Sequence, residues 1–338
     1  MAKRRILVLG GCGFIGSNFV RYLHEQRPQT NLTVFDLLTY AGSLDNLDGL
    51  TDAGDVTFIQ GDLANADDLA NLPEHFDLAI NFAAETHVDR SLYDADRFVR
   101  TNVMGVVNLL LWCREREIPL LQISTDEVYG PAGDNQSFDE AAPLNPTSPY
   151  AASKAAADLM VLTAIRTFAQ AAAIVRTSNN YGPRQYPEKL IPFCISRARQ
   201  GLSLPLYGDG KQRRCWLHVE DFCAALRPVI DDFPAGEVFN IGSDQIVENL
   251  KLVEQIRTQV KGNSEIEFVA DRPGHDRLYR IDSTRYVQRY GEITARSLES
   301  GLTETIDWYL NHPAIFARLD NPATKEFFAQ HYSRPKTR

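Results

Sequence analysis

Two side chains with the types and spacing for acid–base chemistry are Tyr150 and Lys154, which stand four residues apart in a segment with helical spacing. Residues i and i+4 of a helix project from the same face, so the phenol and the ammonium group can act together. A phenol with an ordinary pKa of about 10 is a poor base at neutral pH, but a neighbouring positive charge favours the phenolate. Tyr150 is therefore predicted to accept a proton from a substrate hydroxyl, although Tyr–Lys pairs at this spacing also occur on exposed helices without such a role.

A hydroxyl and two carboxyl groups form a second candidate cluster, Thr125, Asp126 and Glu127, directly after the run 120–124. Ligands of parallel sheets bind at the carboxyl ends of the strands, so this cluster should face a ligand. Two adjacent carboxyl groups beside a buried ligand titrate as a coupled pair, and one can act as an acid while the other acts as a base. The cluster suits an elimination, whereas the competing interpretation is a solvated Asp-Glu dipeptide in a loop.

A glycine-rich segment, residues 10–16 (GGCGFIG), follows the apolar run 6–9 and precedes a helical pattern. Such glycines permit a tight turn and let a pyrophosphate approach the backbone N–H groups at a helix N-terminus. Asp36 lies about twenty residues further on, where a carboxylate can bond the ribose hydroxyls and repel a 2′-phosphate. We therefore predict NAD, rather than NADP, as the cofactor, and the positive charge of its nicotinamide should also favour the phenolate of Tyr150. A glycine turn that binds nothing is the alternative.

The elements that would position these groups alternate along the first half of the chain. Apolar runs at 6–9, 32–35, 56–59, 78–82 and 120–124 are separated by helical patterns at 17–26, 67–71, 97–116 and 150–169. This rhythm is typical of an α/β fold, which we predict as a Rossmann-type doubly wound parallel sheet. After about residue 180, loops rich in Gly, Pro and aromatic residues indicate a smaller lobe. We predict an NAD-binding domain with the catalytic residues at 1–180 and a C-terminal, mainly substrate-binding lobe at 181–338, some of whose segments return to the sheet domain.

The composition of the 338 residues, with 44% hydrophobic and 23% charged residues, is that of an ordinary globular protein. A net charge of −9 argues against a nucleic-acid or anionic-membrane partner, because such partners need a basic surface. No stretch approaches the roughly 20 apolar residues of a membrane span, and the apolar run near the N-terminus is too short for a signal peptide. We expect no membrane association and a cytoplasmic location.

The five cysteines are spaced irregularly, which argues against a disulfide framework and against a zinc site. They are Cys12, Cys113, Cys194, Cys215 and Cys223. Reduced thiols in a reducing compartment fit this pattern, and no metal site is predicted.

Seven segments extend these observations to a known family. They are 36–42, 83–91, 125–130, 179–183, 187–192, 207–214 and 271–276. In these segments the chain resembles the extended short-chain dehydrogenase/reductase family over about residues 4–310. Among its members the chain is most similar to the dTDP-glucose 4,6-dehydratases, because epimerases and decarboxylases usually lack the Thr-Asp-Glu found here. The resemblance implies the same fold, NAD as the cofactor and a nucleotide sugar, dTDP-glucose, as the substrate.

The predicted contacts divide between the cofactor and the nucleotide sugar. The predicted cofactor contacts are Gly10, Gly13, Phe14, Ile15, Gly16, Asp36, Leu37, Thr39, Asp62, Leu63, Phe82, Ala83, Ala84, Thr86, Thr101, Tyr150, Lys154 and Asn180. The implied substrate contacts are Thr86, His87, Thr125, Asn179, Lys189, Leu190, Pro205, Tyr207, Arg214, Asn249, Arg272 and His275. Of these, Arg214 and Arg272 can make charge-assisted bonds to phosphates, and Tyr207 can stack on a flat base.

The implied reaction converts dTDP-glucose to dTDP-4-keto-6-deoxyglucose by NAD-mediated oxidation at C4, elimination of water across C5 and C6, and hydride return to C6. Tyr150 would act as the base at C4, Glu127 would take the C5 proton, and Asp126 would protonate the departing C6 hydroxyl. Thr125 would bond the C4 oxygen and stabilise its developing charge. With Lys154, these form the predicted catalytic set. The resemblance also implies a homodimer that pairs the helices near 97–116 and 150–169.

Two residues depart from the family pattern: Leu37 replaces a usual lysine, and Cys215 stands beside Arg214 where an aspartate is usual. The segment after about residue 311 matches poorly, so its role stays open. UDP-glucose and CDP-glucose remain alternative substrates, because base identity depends on few contacts. An NAD-binding regulator without catalytic activity is the alternative from a different class, and the presence of the complete predicted catalytic set argues against it.

Overall fold

The computed structural model describes residues 4–321 and 324–325. Residues 1–3 of the predicted cofactor domain, and 322–323 and 326–338 of the predicted C-terminal lobe, lie outside the described residues. The strands of the described part are β1 Arg5–Leu9, β2 Asn31–Asp36, β3 Val56–Gln60, β4 Leu78–Asn81, β5 Leu120–Thr125, β6 Ala172–Thr177, β7 Asn179–Tyr181, β8 Leu204–Tyr207, β9 Arg213–His218, β10 Val238–Ile241, β11 Ile246–Glu248 and β12 Ile266–Val269.

The helices follow the predicted pattern closely in the first half of the chain. The α-helices are α1 Phe14–Gln26, α2 Ala66–Ala70, α3 Val88–Ser91, α4 Ala95–Phe98, α5 Gly105–Glu115, α6 Pro149–Phe168, α7 Leu190–Arg199, α8 Val219–Asp231, α9 Asn249–Val260, α10 Thr284–Tyr290 and α11 Leu298–Asn311. Short 3₁₀ helices span Leu44–Leu47, Asp126–Tyr129 and Pro313–Asp320. The single helix predicted at 97–116 is interrupted, because the π-helix Val99–Met104 separates α4 from α5.

Seven strands form the large sheet in the order β10-β6-β5-β4-β1-β2-β3, and every pair in it is parallel. This confirms the predicted Rossmann-type doubly wound sheet. The strand β1 pairs with β2 on one side and with β4 on the other, so the strand order reverses beside β1. At such a switch point a crevice opens at the carboxyl ends of the strands, and this crevice is the usual ligand site of open α/β sheets.

Helices cover both faces of the large sheet and bury its apolar strands. On one face α1 packs against α8, and the cluster beneath them includes Val8, Phe19 and Phe222. On the other face α5 packs against α6, over a cluster that includes Leu109 and Val161. Because both faces are covered, every residue of the inner strands β4, β5 and β6 is buried, whereas β2 and β3 at one end of the sheet are only partly buried.

The smaller sheets belong to the second half of the chain. β11, β9 and β7 form one sheet, and β12 pairs with β8 in another. A third apolar cluster, which includes Cys194, Leu252 and Leu302, lies between α7, α9 and α11. Only Ser178 separates β6 of the large sheet from β7 of the small one. The strand β10 lies in the large sheet beside β6, although its sequence position is in the predicted C-terminal lobe; the domain boundary at 180 stays a prediction.

The five cysteines are all buried and none is in a disulfide. Burial raises the pKa of each thiol above its ordinary value. Across residues 4–321 and 324–325, no helix combines the length and the apolar character that crossing a membrane requires. The same residues contain no group of three or more His, Cys, Asp or Glu side chains arranged to hold a metal ion.

Candidate active site

A cavity of about 640 Å³ lies at the carboxyl ends of the central strands of the large sheet. Every residue predicted to bind the cofactor or the substrate lines this cavity, from Gly10 near the N-terminus to His275 in the second half of the chain. The predicted catalytic residues Thr125, Glu127, Tyr150 and Lys154 also line it. Asp126 is not among the lining residues. The fold therefore brings together side chains from both halves of the chain, with one exception among the predicted set.

The glycine turn after β1 packs too closely against β4 to carry a side chain at its first position. Gly10 has a φ of +72°, and a Cβ built there would lie 2.5 Å from the backbone nitrogen of Ala83. The helix α1 then begins at Phe14, and its N-cap residue Gly13 offers no side chain to cap the first turn. The backbone N–H groups of that turn are therefore left for a ligand, and an anion suits them best.

Asp36 ends β2 on the rim of the same cavity. Its carboxylate accepts hydrogen bonds from the backbone N–H of Cys12 at 2.9 Å and of Leu38 at 2.8 Å. Burial raises the pKa of Asp36, and these two bonds oppose that shift. The turn, the uncapped helix end and this carboxylate together fit the pyrophosphate and ribose of a dinucleotide. Leu37, which replaces a usual lysine, is 41% exposed at the cavity edge.

The helix α6 presents Tyr150 and Lys154 to the cavity. Ser148 caps the helix by accepting a hydrogen bond from the backbone N–H of Ala151, and Pro149 occupies its first position. The side chains of Tyr150 and Lys154 are buried, and Lys154 Nζ donates to the carbonyl oxygen of Ile123 at 2.9 Å. Burial lowers the pKa of Lys154 to about 8. Tyr150 and Lys154 therefore form a buried pair at the cavity, and not a pair on an exposed helix surface.

The phenol of Tyr150 is buried beside acidic groups. Burial and the nearby Glu127 raise its pKa well above the ordinary value, and a hydrogen bond with Thr125 opposes this only in part. The ammonium of Lys154 donates to a carbonyl oxygen, and the predicted phenolate also depends on the positive charge of a bound nicotinamide, so its formation stays a prediction.

The turn after β5 holds two acids in different environments. Thr125 Oγ1 accepts from the backbone N–H of Glu127 at 3.3 Å and donates to Asp126 Oδ1 at 3.2 Å. Burial, followed by the neighbouring Glu127, raises the pKa of Asp126 to about 7. Burial also raises the pKa of Glu127, although Arg272 and Arg214 favour its ionised form. Glu127 is thus the better candidate for a base, and Asp126 is the better candidate for an acid.

The position of Asp126 corrects the expectation that both carboxyl groups face the ligand. Asp126 and Glu127 belong to the 3₁₀ helix Asp126–Tyr129, in which neighbouring side chains point about 120° apart. Glu127 lines the cavity, whereas Asp126 is 2% exposed and does not. The hydroxyl of Thr125 contacts Asp126 and also lines the cavity, so it lies between this acid and the open space.

The basic side chains of the predicted substrate end already have acceptors. Arg272 Nη1 lies 2.9 Å from Asp89 Oδ1, and the Tyr207 hydroxyl donates to Asp89 Oδ2 at 2.9 Å. Lys189 Nζ donates to the carbonyl oxygen of Thr86 at 2.7 Å. The Nε atom of Arg272 is buried without a hydrogen-bond partner. This guanidinium is therefore fixed in place and still has N–H donors for an anion.

Two of the predicted substrate contacts, Tyr207 and Arg214, each lie against an aromatic ring. The rings of Tyr207 and His275 meet edge to face at 5.8 Å, and His275 Nδ1 lies 2.6 Å from Asp271 Oδ1. The guanidinium of Arg214 lies 4.4 Å from the ring centre of Tyr279. Stacking of Tyr207 on a base stays a prediction.

Cys215 stands where an aspartate is usual, and its side chain is buried in the interior. Its thiol donates to the carbonyl oxygen of Tyr279 at 3.3 Å, and burial raises its pKa to about 12. The same tyrosine supports Arg214 through its ring. Cys215 and Arg214 therefore contact one residue from two sides.

Sequence reasoning missed several polar residues of the cavity. Asp89 and Glu188 both line it, and Glu188 accepts from the Tyr40 hydroxyl at 2.8 Å and from Arg90 Nε at 3.1 Å. Tyr279 also lines the cavity. Asp89 and Glu188 lie within the segments 83–91 and 187–192, which carry the family resemblance. That position could have indicated that they lie at the site, although the sequence does not give their partners.

Residues 6–242 match the model of the NAD dependent epimerase/dehydratase family. The chain belongs to this family. It is 48% identical over 307 residues to the low-salt glycan biosynthesis protein Agl12 of Haloferax volcanii, with 90% of this chain and 98% of that protein covered. It is 43% identical over 324 residues to the dTDP-glucose 4,6-dehydratase of Streptomyces niveus, with 94% and 96% covered. A solved double mutant of DesIV, a dTDP-glucose 4,6-dehydratase from Streptomyces venezuelae with NAD and DAU bound, has a TM-score of 0.89 and 39% identity, with 92% of this chain and 98% of that chain covered.

Membership of the NAD dependent epimerase/dehydratase family confirms the predicted cofactor and the resemblance noted in the sequence. The family match covers β1 to β10, and hence the whole large sheet of the described chain. The match does not assign a role to any single side chain. The catalytic and binding roles of individual residues therefore stay predictions.

The variant Gly10→Ala is expected to bind NAD at least about tenfold more weakly, which corresponds to about 1.4 kcal/mol. An added Cβ would be strained at a φ of +72° and would press on the backbone of Ala83. Fluorescence titration with NAD would measure the Kd. Gly54→Ala is the matched control, because Gly54 also has a positive φ of +76° but has no atom within 4 Å of the added Cβ. Equal Kd values for the two variants would contradict this account of the turn.

Proposed function

We propose that this protein is a dTDP-glucose 4,6-dehydratase that forms dTDP-4-keto-6-deoxyglucose. The observation that carries the proposal is the presence of two separate acid–base groups beside a dinucleotide turn. Tyr150, Lys154 and Glu127 line one cavity, and Asp126 contacts the lining residue Thr125. Tyr150 and Lys154 serve an oxidation, and Glu127 with Asp126 serves an elimination. An enzyme that only oxidises or epimerises has no need of the second group. The named relatives with a dTDP-glucose 4,6-dehydratase activity support the same substrate.

NAD, when bound, supplies the acceptor and later donor of a hydride, and its nicotinamide ring supplies positive charge to the cavity. The residues proposed to hold it include Gly10, Gly13 and Asp36. Tyr150 then takes the proton of the C4 hydroxyl through its phenol oxygen. Lys154 stabilises the phenolate as that proton transfers.

The second stage is the loss of water across C5 and C6 of the sugar. The ketone at C4 makes the C5 proton acidic, and Glu127 accepts that proton through its carboxylate. The Oε2 atom of Glu127 is buried without a hydrogen-bond partner, so a lone pair is available there. When Asp126 carries a proton and donates it to Thr125, the Thr125 hydroxyl can donate its own hydrogen to the C4 oxygen, whose negative charge grows in the transition state.

The leaving C6 hydroxyl needs a proton, and Asp126 is proposed to supply it. The carboxyl group of Asp126 has a pKa of about 7, so a large share of the molecules carry this proton at neutral pH. Its Oδ2 atom is buried without a partner. A small rotation of the Asp126 side chain, or transfer through the Thr125 hydroxyl, brings the proton to the cavity. Hydride return to C6 would be accompanied by return of the C5 proton from Glu127, so the net change in the sugar is the loss of one water. The proton that Asp126 gives to the departing hydroxyl is offset by the one that Tyr150 takes from the C4 hydroxyl.

The assembly proposed for the enzyme is a homodimer formed through α5 and α6. These neighbouring helices expose apolar side chains, with exposed fractions of 44% for Leu111, 54% for Leu159 and 55% for Phe168. Exposed apolar groups concentrated on adjacent elements are typical of interaction surfaces. A cytoplasmic location is also proposed, because the five buried thiols are outside disulfides.

Incubation of the protein with dTDP-glucose is expected to yield the 4-keto-6-deoxy sugar without added reductant. Glu127→Gln should lower kcat by about 10²- to 10⁴-fold, because the amide cannot accept the C5 proton. The alkali-induced absorbance of the keto sugar measures the product, and solvent deuterium at C5 reports the proton transfer. Glu299→Gln, a change at an exposed position in the first turn of α11, is the control and should keep full activity.

Three other outcomes would change the proposal. Turnover of UDP-glucose or CDP-glucose in place of dTDP-glucose would keep the reaction and replace the substrate. Full activity of Glu127→Gln would remove that residue as the base. Inactivity toward all three nucleotide sugars, with NAD still bound, would favour the non-catalytic regulator.

The kcat is expected to fall as the pH rises above about 7. A group whose pKa is about 7 is protonated below that pH and loses its proton above it, and the acid of the elimination must be protonated. Measurement of kcat at saturating substrate between about pH 6 and pH 9 would reveal this limb. Asp126→Asn should lower kcat and remove the limb, whereas the exposed control Asp307→Asn should retain it. A wild-type kcat that stays constant over this range would exclude Asp126 as the acid.

Leu159→Glu is expected to convert the dimer to a monomer, because a charge would be buried at the proposed interface. Sedimentation velocity measures the mass of the species in solution. Leu310→Glu, at a side chain that is 38% exposed on α11, is the control and should leave the mass unchanged. A monomeric wild-type protein, or a dimeric Leu159→Glu variant, would contradict this interface.

A further inference from the structure

A buried arginine outside the cavity lining makes its side-chain hydrogen bonds to two residues that do not line the cavity either. Arg176, on β6, has a side chain that is only 2% exposed. Its Nε lies 2.8 Å from Asp158 Oδ2, and its Nη1 donates to the Tyr129 hydroxyl at 2.7 Å. The cavity lining does not include Arg176, Asp158 or Tyr129. A charge so deeply buried is costly unless it has such partners, so this arrangement is strongly specified.

The two partners of Arg176 belong to the two segments that carry the proposed chemistry. Tyr129 ends the 3₁₀ helix Asp126–Tyr129, which begins with the acid and base of the elimination. Asp158 lies on α6, four residues after Lys154 and eight after Tyr150, and therefore on the same side of the helix. One guanidinium thus connects the elimination residues to the oxidation residues.

The Tyr129 hydroxyl is held on both sides. It accepts from Arg176 and donates to Asn240 Oδ1 at 2.9 Å, and Asn240 Nδ2 donates to the carbonyl oxygen of Phe138 at 2.9 Å. The rings of Tyr129 and Phe138 stack with their centres 5.5 Å apart. Removing the hydroxyl would therefore break the polar connection while leaving the ring in its place.

At its start, the turn is linked to α6 by the hydrogen bond between Thr125 and Tyr150. In addition, Lys154 Nζ donates to the Ile123 carbonyl of β5. The end of the turn, where Tyr129 lies, meets α6 through apolar contacts and through Arg176.

Ala155 of α6 packs in an apolar cluster with Val128 and Tyr129. Apolar contacts are not directional, whereas hydrogen bonds to a planar guanidinium fix both distance and angle. The backbone N–H of Asn145 donates to the Val128 carbonyl at 3.0 Å, but this bond joins the turn to a loop and not to α6.

We propose that Arg176 is a positioning residue that holds the turn bearing Glu127 at a fixed distance from the helix bearing Tyr150. The proposal rests on the proposed function, in which a sugar oxidised at C4 by one segment must lose its C5 proton to the other without leaving the site. A reacting group displaced by about 1 Å can lose about 100-fold in rate. Arg176 thereby couples the two stages of one reaction.

The test uses Tyr129→Phe, which removes the bond to Arg176 but keeps the ion pair with Asp158 and the stacked ring. The expected result is a fall in kcat of about tenfold or more, with KM changed by less than about twofold. Since oxidation continues while elimination slows, the fraction of enzyme-bound cofactor in the reduced form should rise during turnover. Near-ultraviolet absorbance of reduced nicotinamide measures that fraction.

Two further variants separate positioning from a general loss of stability. Tyr286→Phe also removes a buried tyrosine hydroxyl, one that donates to the Ala225 carbonyl at 2.8 Å, but this residue does not line the cavity or touch the catalytic segments. Arg176→Lys keeps the charge beside Asp158 without the fork that reaches Tyr129, and should resemble Tyr129→Phe. Arg176→Met is avoided because it leaves Asp158 buried without its partner and is expected to fold poorly.

The results for these variants would either support or overturn the positioning role of Arg176. A raised fraction of reduced cofactor in Tyr129→Phe and Arg176→Lys, but not in Tyr286→Phe, would support it. Kinetics of Tyr129→Phe equal to those of Tyr286→Phe would overturn it, as would a fall in kcat with the cofactor remaining oxidised. A wild-type protein that turns over no nucleotide sugar is a different result, because it would overturn the proposed function itself.

Discussion

Parallel pairing of the seven strands in the large sheet is the constraint on which the site depends. It brings the carboxyl ends of all these strands to one edge, so the groups that follow them meet there. Gly10 follows β1, Asp36 ends β2 and Thr125 ends β5. The reversal of strand order beside β1 opens the crevice between these groups. In an antiparallel sheet the ends of neighbouring strands would alternate between two edges, and the turn for the dinucleotide would be separated from the catalytic residues.

Buried charged side chains in and near the cavity are held in place by partners before any ligand binds. Arg272 is held by Asp89, Lys189 by the Thr86 carbonyl and Arg176 by Asp158. A buried cation without a partner would lose several kcal/mol of hydration free energy, so each of these contacts is strongly favoured. Donors fixed in this way need little reorganisation when a charged ligand arrives, and such preorganisation is the main source of electrostatic catalysis.

The sequence predicted those features that short patterns determine, and it missed those that depend on packing at a distance. The glycine turn, Asp36 and the capped start of α6 were readable because a few neighbouring residues specify each of them. The π-helix Val99–Met104 was not readable, since its apolar spacing resembles that of an α-helix. Asp126 was expected to face the ligand because adjacency in sequence does not reveal the 3₁₀ geometry. Arg176 reads only as a polar residue in an apolar strand, and the structure alone pairs it with Asp158 and Tyr129.

The buried cysteines have a practical consequence for work with this protein. A thiol reacts as its thiolate, and both burial and a raised pKa keep that form scarce at neutral pH. All five thiols share these two properties. Maleimide dyes should therefore leave the native chain nearly unlabelled while it remains folded. A cysteine introduced on an exposed helix would then provide a single attachment point for spectroscopy, with no need to remove the natural thiols first.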